Sequence, residues 1–113
     1  MKLFNTNKNP IPEITVEQAH QLCQSGSLLL DVREPEEINE GCAIGCHCIP
    51  LGEIESRLNE IPKDKPILLI CRSGRRSMTA AKFLQSKGYQ DIRNVSGGFL
   101  EWQSQGLPSH PKK

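Results

Sequence analysis

Residues 66–77 read P-I-L-L-I-C-R-S-G-R-R-S, and this stretch decides the fold. Four aliphatic residues follow Pro66 and lead directly into Cys71. An apolar run without polar alternation is typical of a strand buried on both faces, as in a parallel sheet. Residues 78–88, M-T-A-A-K-F-L-Q-S-K-G, then follow a helical pattern that ends at Gly88. The pattern therefore predicts that Cys71 lies at the carboxyl end of a strand, where open α/β sheets bind ligands.

The residues around Cys71 predict an anion-binding loop with a nucleophilic thiol. The first amides of a helix have no intrahelical partner, and the helix dipole adds partial positive charge there. Gly74 lets the loop curl so that its amides converge, and three of the five residues that follow Cys71 are arginines. Such surroundings lower a thiol pKa from about 8.5 to about 3.5–7.5. A buried structural cysteine needs neither the glycine nor the arginines, so we interpret Cys71 as a nucleophile.

The loop C-R-S-G-R-R-S resembles the active-site loop of the rhodanese (sulfurtransferase) family, single-domain type. Other family landmarks occur in the same order along the chain: D-V-R-E-P-E-E at Asp31 to Glu37, I-P-L at Ile49 to Leu51, and S-G-G-F-L-E-W at Ser96 to Trp102. The similarity covers residues 12–108, which is nearly the whole chain. A lone cysteine before a glycine would be weak evidence, whereas this ordered set of motifs is specific.

The resemblance implies a transferase with Cys71 as its catalytic residue. The Cys71 thiolate would take the outer sulfur of a small anionic donor such as thiosulfate. It would then pass that sulfur from a persulfide to cyanide, a thiol or a sulfur-acceptor protein. Asp31 and Arg33 are expected to brace the loops around the site, and neither a metal nor an organic cofactor is implied. Six loop residues are expected to bind the donor or the persulfide: Arg72, Ser73, Gly74, Arg75, Arg76 and Ser77.

Two other classes of function are weighed against sulfur transfer. Phosphatases and arsenate reductases of the same fold use a loop one residue longer, with five residues between cysteine and arginine. Here the sixth residue after Cys71 is Ser77, and Arg76 comes one place early. The other alternative is a non-catalytic binding module or a redox sensor. Such modules commonly lose the cysteine, which this chain keeps.

Residues 41–50, G-C-A-I-G-C-H-C-I-P, depart from the family pattern, which is close to G-H-I-P-G-A-x-N-I-P. Cys46 and Cys48 are two residues apart, so on a strand they share one face. We prefer to interpret these cysteines as small core-filling residues. A resolving or redox thiol near Cys71 is a second interpretation. The third is a metal site, although zinc sites usually draw on two separated ligand pairs; its ligands would be Cys42, Cys46, His47 and Cys48.

The composition bounds the function classes further. A net charge of +1 and a pI near 7.6 argue against a general nucleic-acid or membrane surface. The five cysteines are an odd number, and the polar start of the chain has no signal-peptide core, so a disulfide framework is not expected. No apolar stretch approaches the length of a membrane span. These features favour the cytoplasm.

Strands and helices alternate along the chain. This order predicts a three-layer α/β sandwich with a mainly parallel five-stranded sheet. We expect one domain over residues 1–113, with a core over about 12–108, a polar N-terminal arm and a short, frayed C-terminal tail. Strands are predicted near 11–14, 28–30, 67–70 and 92–95, and helices after the Thr15–Gln18 capping box, from Pro35, over 52–61, over 78–88 and around Phe99 and Trp102.

Overall fold

The computed structural model describes residues 10–110. Its main sheet has five strands in the order β1-β6-β5-β2-β4, and every neighbouring pair is parallel. The predicted sheet is therefore confirmed. The strands are β1 (Glu13–Ile14), β2 (Leu28–Asp31), β3 (Cys42–Ala43), β4 (His47–Cys48), β5 (Ile67–Ile70), β6 (Ile92–Val95) and β7 (Ser109–His110). The helices are α1 (Val16–Gln24), α2 (Pro35–Asn39), α3 (Arg75–Ser86) and α4 (Gly98–Ser104).

The central strands β2 and β5 are buried on both faces because helices cover both sides of the sheet. Successive side chains of a strand point to opposite faces, so each strand supplies both halves of the core. Burying one such aliphatic side chain contributes about 1.5–3 kcal/mol. On the α3 side, Leu30, Ile67 and Leu69 pack with Ala80, Ala81 and Leu84. On the other side, Leu29, Leu68 and Ile70 pack with Val16 and Ala19 of α1 and with Phe99 and Trp102 of α4.

The helix starts follow the local sequence signals. The Thr15 hydroxyl accepts a hydrogen bond from the Gln18 amide at 3.1 Å, and the Gln18 side chain accepts one from the Thr15 amide at 2.9 Å. This reciprocal capping box satisfies two amides that the helix itself leaves unpaired. Pro35 occupies the first turn of α2, where its missing amide donor costs nothing. The predicted starts of α1 and α2 are both confirmed.

The helix predicted over residues 52–61 is wrong. Two short 3-10 helices, Leu51–Glu53 and Leu58–Glu60, occupy this stretch instead. The Ser56 hydroxyl donates to the Glu53 carbonyl, a local bond that competes with regular helix bonding. Gly52 also weakens an α-helix because it loses much backbone freedom on folding. The apolar spacing had predicted Ile54, Leu58 and Ile61 as core positions; Ile54 and Ile61 are buried, and Leu58 is partly buried against the same core.

The C-terminal tail is more ordered than predicted up to His110. Strand β7 pairs antiparallel with β3, with Cys42 opposite His110 and Ala43 opposite Ser109. The carbonyl of Pro108 accepts hydrogen bonds from the Trp102 indole at 2.8 Å and from the Ile44 amide at 3.0 Å. These contacts tie the tail to the core. Residues 1–9, which include most of the predicted polar arm, and residues 111–113 lie outside the described residues. Within residues 10–110, no helix combines the length and apolar character that crossing a membrane requires.

Candidate active site

Cys71 lies directly after the central strand β5, at the start of the loop that leads into α3. Three hydrogen-bond donors converge on its sulfur. The Gly74 amide lies 3.1 Å from Sγ, and the amide and the hydroxyl of Ser77 each lie 3.3 Å from it. Because Cys71 is only 1% exposed, a reagent can meet the sulfur only at the floor of this loop. The loop thus presents one thiol inside a ring of fixed donors.

The donors around Cys71 favour its charged form. Burial, the largest single influence, raises the thiol pKa, since a charge is costly to bury. The Ser77 hydroxyl and the amides of Ser77, Gly74 and Ser73 together outweigh burial, so the pKa of Cys71 is lowered. The sequence predicted this direction from the helix amides, the helix dipole and the three arginines together. In the structure, the Ser77 hydroxyl and the loop amides are the main groups that lower the pKa of Cys71.

Two glycines allow the backbone to pack closely around the loop. Gly74 has a φ of 99°, and a Cβ atom there would lie 2.5 Å from the Ser96 carbonyl oxygen. Gly98 has a φ of 64°, and its Cβ would overlap the Arg72 carbonyl. Both positions therefore require glycine. The backbone of Gly98 therefore packs directly against the Cys71 loop.

The strand and helix next to the loop hold its backbone in place. At the start of α4, the Phe99 amide donates to the Cys71 carbonyl at 2.8 Å. The Leu100 amide donates to the Arg72 carbonyl at 3.1 Å. On β6, the Asn94 side chain donates to the Gly74 carbonyl at 3.1 Å. Sequence reasoning missed Asn94, although a polar residue inside a short buried strand is a signal that could have identified it.

The three loop arginines have different surroundings. Arg76 forms a bidentate ion pair with Glu37 of α2, at 2.7 and 2.8 Å. The hydrogen bonds from Arg76 lower the pKa of Glu37 to about 2. Arg72 and Arg75 are exposed beside the loop. The sequence did not indicate which of the three arginines contacts the substrate. In the structure, Arg76 is paired with Glu37, whereas Arg72 and Arg75 are exposed to solvent.

Asp31 and Arg33 form a buried ion pair beside the loop. Arg33 Nη2 lies 2.9 Å from Asp31 Oδ2, and the two residues are 4% and 0% exposed. The same guanidinium donates to the Gly41 carbonyl at 2.9 Å and to the Glu37 carbonyl at 3.4 Å. It also lies 4.5 Å from the centre of the Phe99 ring. The pair therefore ties the end of β2 to α2 and α4, and Glu37 extends this connection to the active loop.

A family comparison matches this arrangement. The model of the Rhodanese-like domain family covers residues 15–105, which include the Cys71 loop and the Asp31–Arg33 pair. The chain belongs to the rhodanese-like family. The resemblance inferred from the motifs is confirmed, and the all-parallel sheet is the rhodanese-like architecture.

Several relatives in the rhodanese-like family carry names that refer to sulfur transfer. The candidate sulfur carrier protein YrkF of Bacillus subtilis is 42% identical over 98 residues. That match covers 85% of this chain and 53% of YrkF, so the chain spans about half the length of that relative. A sulfurtransferase of Allochromatium vinosum is 41% identical over 81 residues, or 72% of this chain and 76% of the relative.

A solved structure in the family is also similar over most of the chain. The polysulfide-sulfur transferase homodimer of Wolinella succinogenes has a TM-score of 0.81 at 27% identity. The match covers 92% of this chain and 81% of that one. Together with the named sulfurtransferases, it supports sulfur transfer as the class of reaction in this rhodanese-like chain.

The stretch that departs from the rhodanese-like pattern holds two neighbouring thiols. Cys46 Sγ and Cys48 Sγ lie 3.6 Å apart, as expected for residues on one strand face, and both residues are partly buried. Cys42, four positions before Cys46, is buried. Within residues 10–110, no group of three or more His, Cys, Asp or Glu side chains is arranged to hold a metal ion. The structure thus brings Cys46 and Cys48 together as a pair.

Proposed function

We propose that this protein transfers sulfane sulfur from a small anionic donor to a thiophilic acceptor through a persulfide on Cys71. The observation that carries the proposal is the convergence of the Gly74 and Ser77 donors on one buried sulfur. These donors stabilise a thiolate before reaction. They can also stabilise the negative charge that Cys71 regains when the acceptor removes the sulfur.

The proposed reaction has two displacement steps. In the first, the Cys71 thiolate attacks the outer sulfur of thiosulfate. A new sulfur–sulfur bond forms on Cys71, the donor's own sulfur–sulfur bond breaks, and sulfite leaves with the electron pair. In the second, cyanide or a thiolate attacks the outer sulfur of the persulfide. The bond to Cys71 breaks, the thiolate returns, and thiocyanate or a new persulfide leaves. Neither step requires a metal or an organic cofactor.

The charges at the mouth of the loop suit a small anionic donor. A pocket of about 260 Å³ beside the loop is lined by Arg33, Glu37, Arg72 and Phe99, among others. Arg72 lines this pocket and Arg75 is exposed at the start of α3, so their guanidinium groups are the proposed contacts for the sulfite part of the donor. Since Arg76 is paired with Glu37, its proposed role is to hold the loop against α2.

Phosphoryl transfer fits the loop less well. A phosphoryl group has three equatorial oxygens and needs an arginine that reaches over them. Arg76 comes one residue early for that role, and its guanidinium makes both of its side-chain bonds to Glu37. We therefore do not propose a phosphatase or an arsenate reductase.

The acceptor in the cell is proposed to be a thiol, including that of a sulfur-acceptor protein. All five cysteines are free. Free thiols persist in reducing compartments, so we assign the reaction to the cytoplasm.

Mass measurement of the digested protein tests the proposed function. Treatment with thiosulfate should add one sulfur atom to the tryptic peptide that contains Cys71, and cyanide should then remove it. The Cys71→Ser variant should gain no sulfur while it remains folded, because the substitution is nearly isosteric. Failure of the wild-type protein to gain sulfur, together with rapid hydrolysis of aryl phosphates, would contradict the proposal.

A further inference from the structure

The Cys46–Cys48 pair lies on the opposite face of the sheet from Cys71. In the parallel register, Cys48 is opposite Asp31 and Asp31 is opposite Ile70. Aligned residues of neighbouring strands share a face, so Cys48 lies on the same face as Ile70. Cys46 packs against the hydrophobic cluster that contains Ile70, whereas Cys71 belongs to the cluster on the α3 side. The pair is therefore not positioned to resolve a bond on Cys71 within the same molecule.

Cys48 has a route to solvent. It lines a pocket of about 240 Å³ together with Arg33, Pro35, Ile38 and Arg57. Cys46 and Cys42 do not line this pocket, and Cys42 is only 8% exposed. A small reagent that enters the pocket contacts Cys48, and the sulfur of Cys46 lies 3.6 Å from that of Cys48.

The hydrogen bond between the two thiols shifts their pKa values in opposite directions. The hydrogen bond from Cys46 lowers the pKa of Cys48 and outweighs burial and the charge of Asp31, which raise it; the charge of nearby Arg33 adds to the lowering. The pKa of Cys46 is raised, first by its hydrogen bond to Cys48 and then by burial, and the neighbouring Cys42 thiol contributes last in the same direction. Thiol–disulfide exchange requires a thiolate that attacks the small disulfide and a second thiol that resolves the mixed disulfide, and the pair supplies one sulfur for each step.

We propose that Cys46 and Cys48 form a reversible dithiol–disulfide site that exchanges with small disulfides and is separate from Cys71. The Cys48 thiolate attacks one sulfur of the small disulfide, and a mixed disulfide forms as the first thiolate leaves. Cys46 loses its proton to solvent and attacks Cys48 Sγ. The Cys46–Cys48 bond forms, and the second thiolate leaves. The protein dithiol is oxidised by two electrons, and the small disulfide is reduced to two thiols.

The spacing of the two residues makes this disulfide easy to reduce. A strand rises about 3.2–3.4 Å per residue, so residues two apart have Cα atoms about 6.4–6.8 Å apart. Disulfides usually span Cα separations of about 4.4–6.8 Å, so this bond forms at the upper limit of the range. Strained disulfides are readily reduced, and an excess of a small thiol should therefore restore the dithiol.

Oxidised glutathione is the probe for the test, and the full-length wild-type protein is the material. Free thiols are alkylated with one reagent; after reduction, the released thiols are alkylated with a second. The tryptic peptide of residues 34–57 contains Cys42, Cys46 and Cys48, whereas Cys71 falls in a different peptide, so the two sites are read separately. We expect Cys46 and Cys48 to carry the second label and Cys42 the first. Reduced glutathione in excess should return all three cysteines to the first label.

Three single variants make the test specific. Cys46→Ser should stop at a stable mixed disulfide between glutathione and Cys48, because the resolving thiol is absent. Cys48→Ser should slow the oxidation of Cys46 at least about tenfold, because the exposed nucleophile is lost. The matched control Cys42→Ser should behave as the wild type. The proposal is overturned if Cys42 takes part in the disulfide, if the wild type also stops at the mixed disulfide, or if Cys46→Ser forms no mixed disulfide.

Discussion

Two thiol sites in this protein lower a cysteine pKa by different means. Around Cys71, the donors are fixed parts of the fold: the Gly74 and Ser77 amides and the Ser77 hydroxyl. Around Cys48, the main donor is another thiol, that of Cys46. The first arrangement keeps its donors when the sulfur reacts. The second arrangement loses its donor when the disulfide forms, because the Cys46 thiol becomes part of that bond. It can therefore store two electrons, but it cannot carry a sulfur atom and return to its starting state in the same cycle.

The contrast also has a structural basis. The loop after Cys71 is held on several sides by hydrogen bonds from α4 and from Asn94 of β6. Cys48 lies on β4, a two-residue strand at the edge of the sheet, and Cys46 directly precedes that strand. Edge strands have neighbours on only one side, so their backbone adjusts more easily to a new covalent bond. A rigid loop suits repeated transfer of one atom, and an adjustable edge suits formation and cleavage of a disulfide.

The largest expected effect separates the two sites by activity. Cys71→Ser should lower the rate of thiocyanate formation from thiosulfate and cyanide by at least about a thousandfold, because no other sulfur lies in the donor ring. A variant with serine in place of Cys42, Cys46 and Cys48 should retain most of that rate. A loss in the triple variant as large as that in Cys71→Ser would mean that the second site takes part in transfer.

The next largest effect concerns the rigidity of the Cys71 loop. Gly74→Ala places a Cβ atom against the Ser96 carbonyl and also strains a positive φ, so the free energy of unfolding should fall by about 2–4 kcal/mol. Gly26→Ala is the matched control: its φ is 108°, but nothing lies within 4 Å of the added atom. It should lose only about 1 kcal/mol, from backbone strain alone. Urea denaturation measures both, and equal losses would show that the close approach at Gly74 is unimportant.

Strand and helix order could be predicted because the apolar runs of this chain are unambiguous. The run from Ile67 to Ile70 has no polar residue, so only a strand covered on both faces suits it. Residues 52–61 misled the prediction because core spacing is shared by an α-helix and by two 3-10 turns. The β7 strand was missed because its partner β3 is distant in sequence: Cys42 pairs with His110, 68 positions later, and no local pattern signals a pairing over that distance.

The Cys71 loop could be predicted from the sequence, but the residues that hold this loop in place could not. Cys71 and its loop are contiguous in sequence, so their motif is readable directly. Glu37 meets Arg76 only because α2 packs beside the loop, and the two residues are 39 positions apart. The Asn94 side chain on β6 donates a hydrogen bond to the Gly74 carbonyl, 20 positions earlier in sequence. Such contacts depend on how the elements pack, which no single sequence pattern records.

The third prediction compares how each thiolate depends on its donors. A hydrogen bond to a charged group contributes about 1.5–3 kcal/mol, which corresponds to about 1–2 pKa units. Cys46→Ala should therefore raise the pH midpoint of Cys48 alkylation, because the largest contribution that lowers the pKa of Cys48 is lost. Ser77→Ala should raise that of Cys71 by less, because the amide donors remain. The pH dependence of iodoacetamide labelling, followed peptide by peptide, measures both, and a larger shift for Cys71 would reverse the comparison.

The smallest expected effect tests the ion pair that holds the Cys71 loop against α2. The pKa of Glu37 is lowered to about 2 by Arg76, so the pair stabilises the fold above the ordinary carboxyl pKa of about 4.5. That stability is lost as the pH falls from about 4.5 through about 2, where Glu37 becomes protonated. Glu37→Gln should cost about 1 kcal/mol at pH 7, a value reduced by solvent screening of this partly exposed pair.

The difference in unfolding free energy between wild type and Glu37→Gln should therefore shrink as the pH falls below about 4.5. Glu36→Gln is the matched control, since it removes the same charge from the same helix at an exposed position. Its effect should be smaller, because the two bonds of Arg76 are made to Glu37. Urea denaturation at several pH values measures these differences. If both variants gave equal losses at pH 7, the net charge of α2 rather than the Arg76 pair would support the loop. The Cys71 loop would then be held by its amide and Asn94 contacts alone, and its contrast with the adjustable β4 edge would rest on backbone bonding.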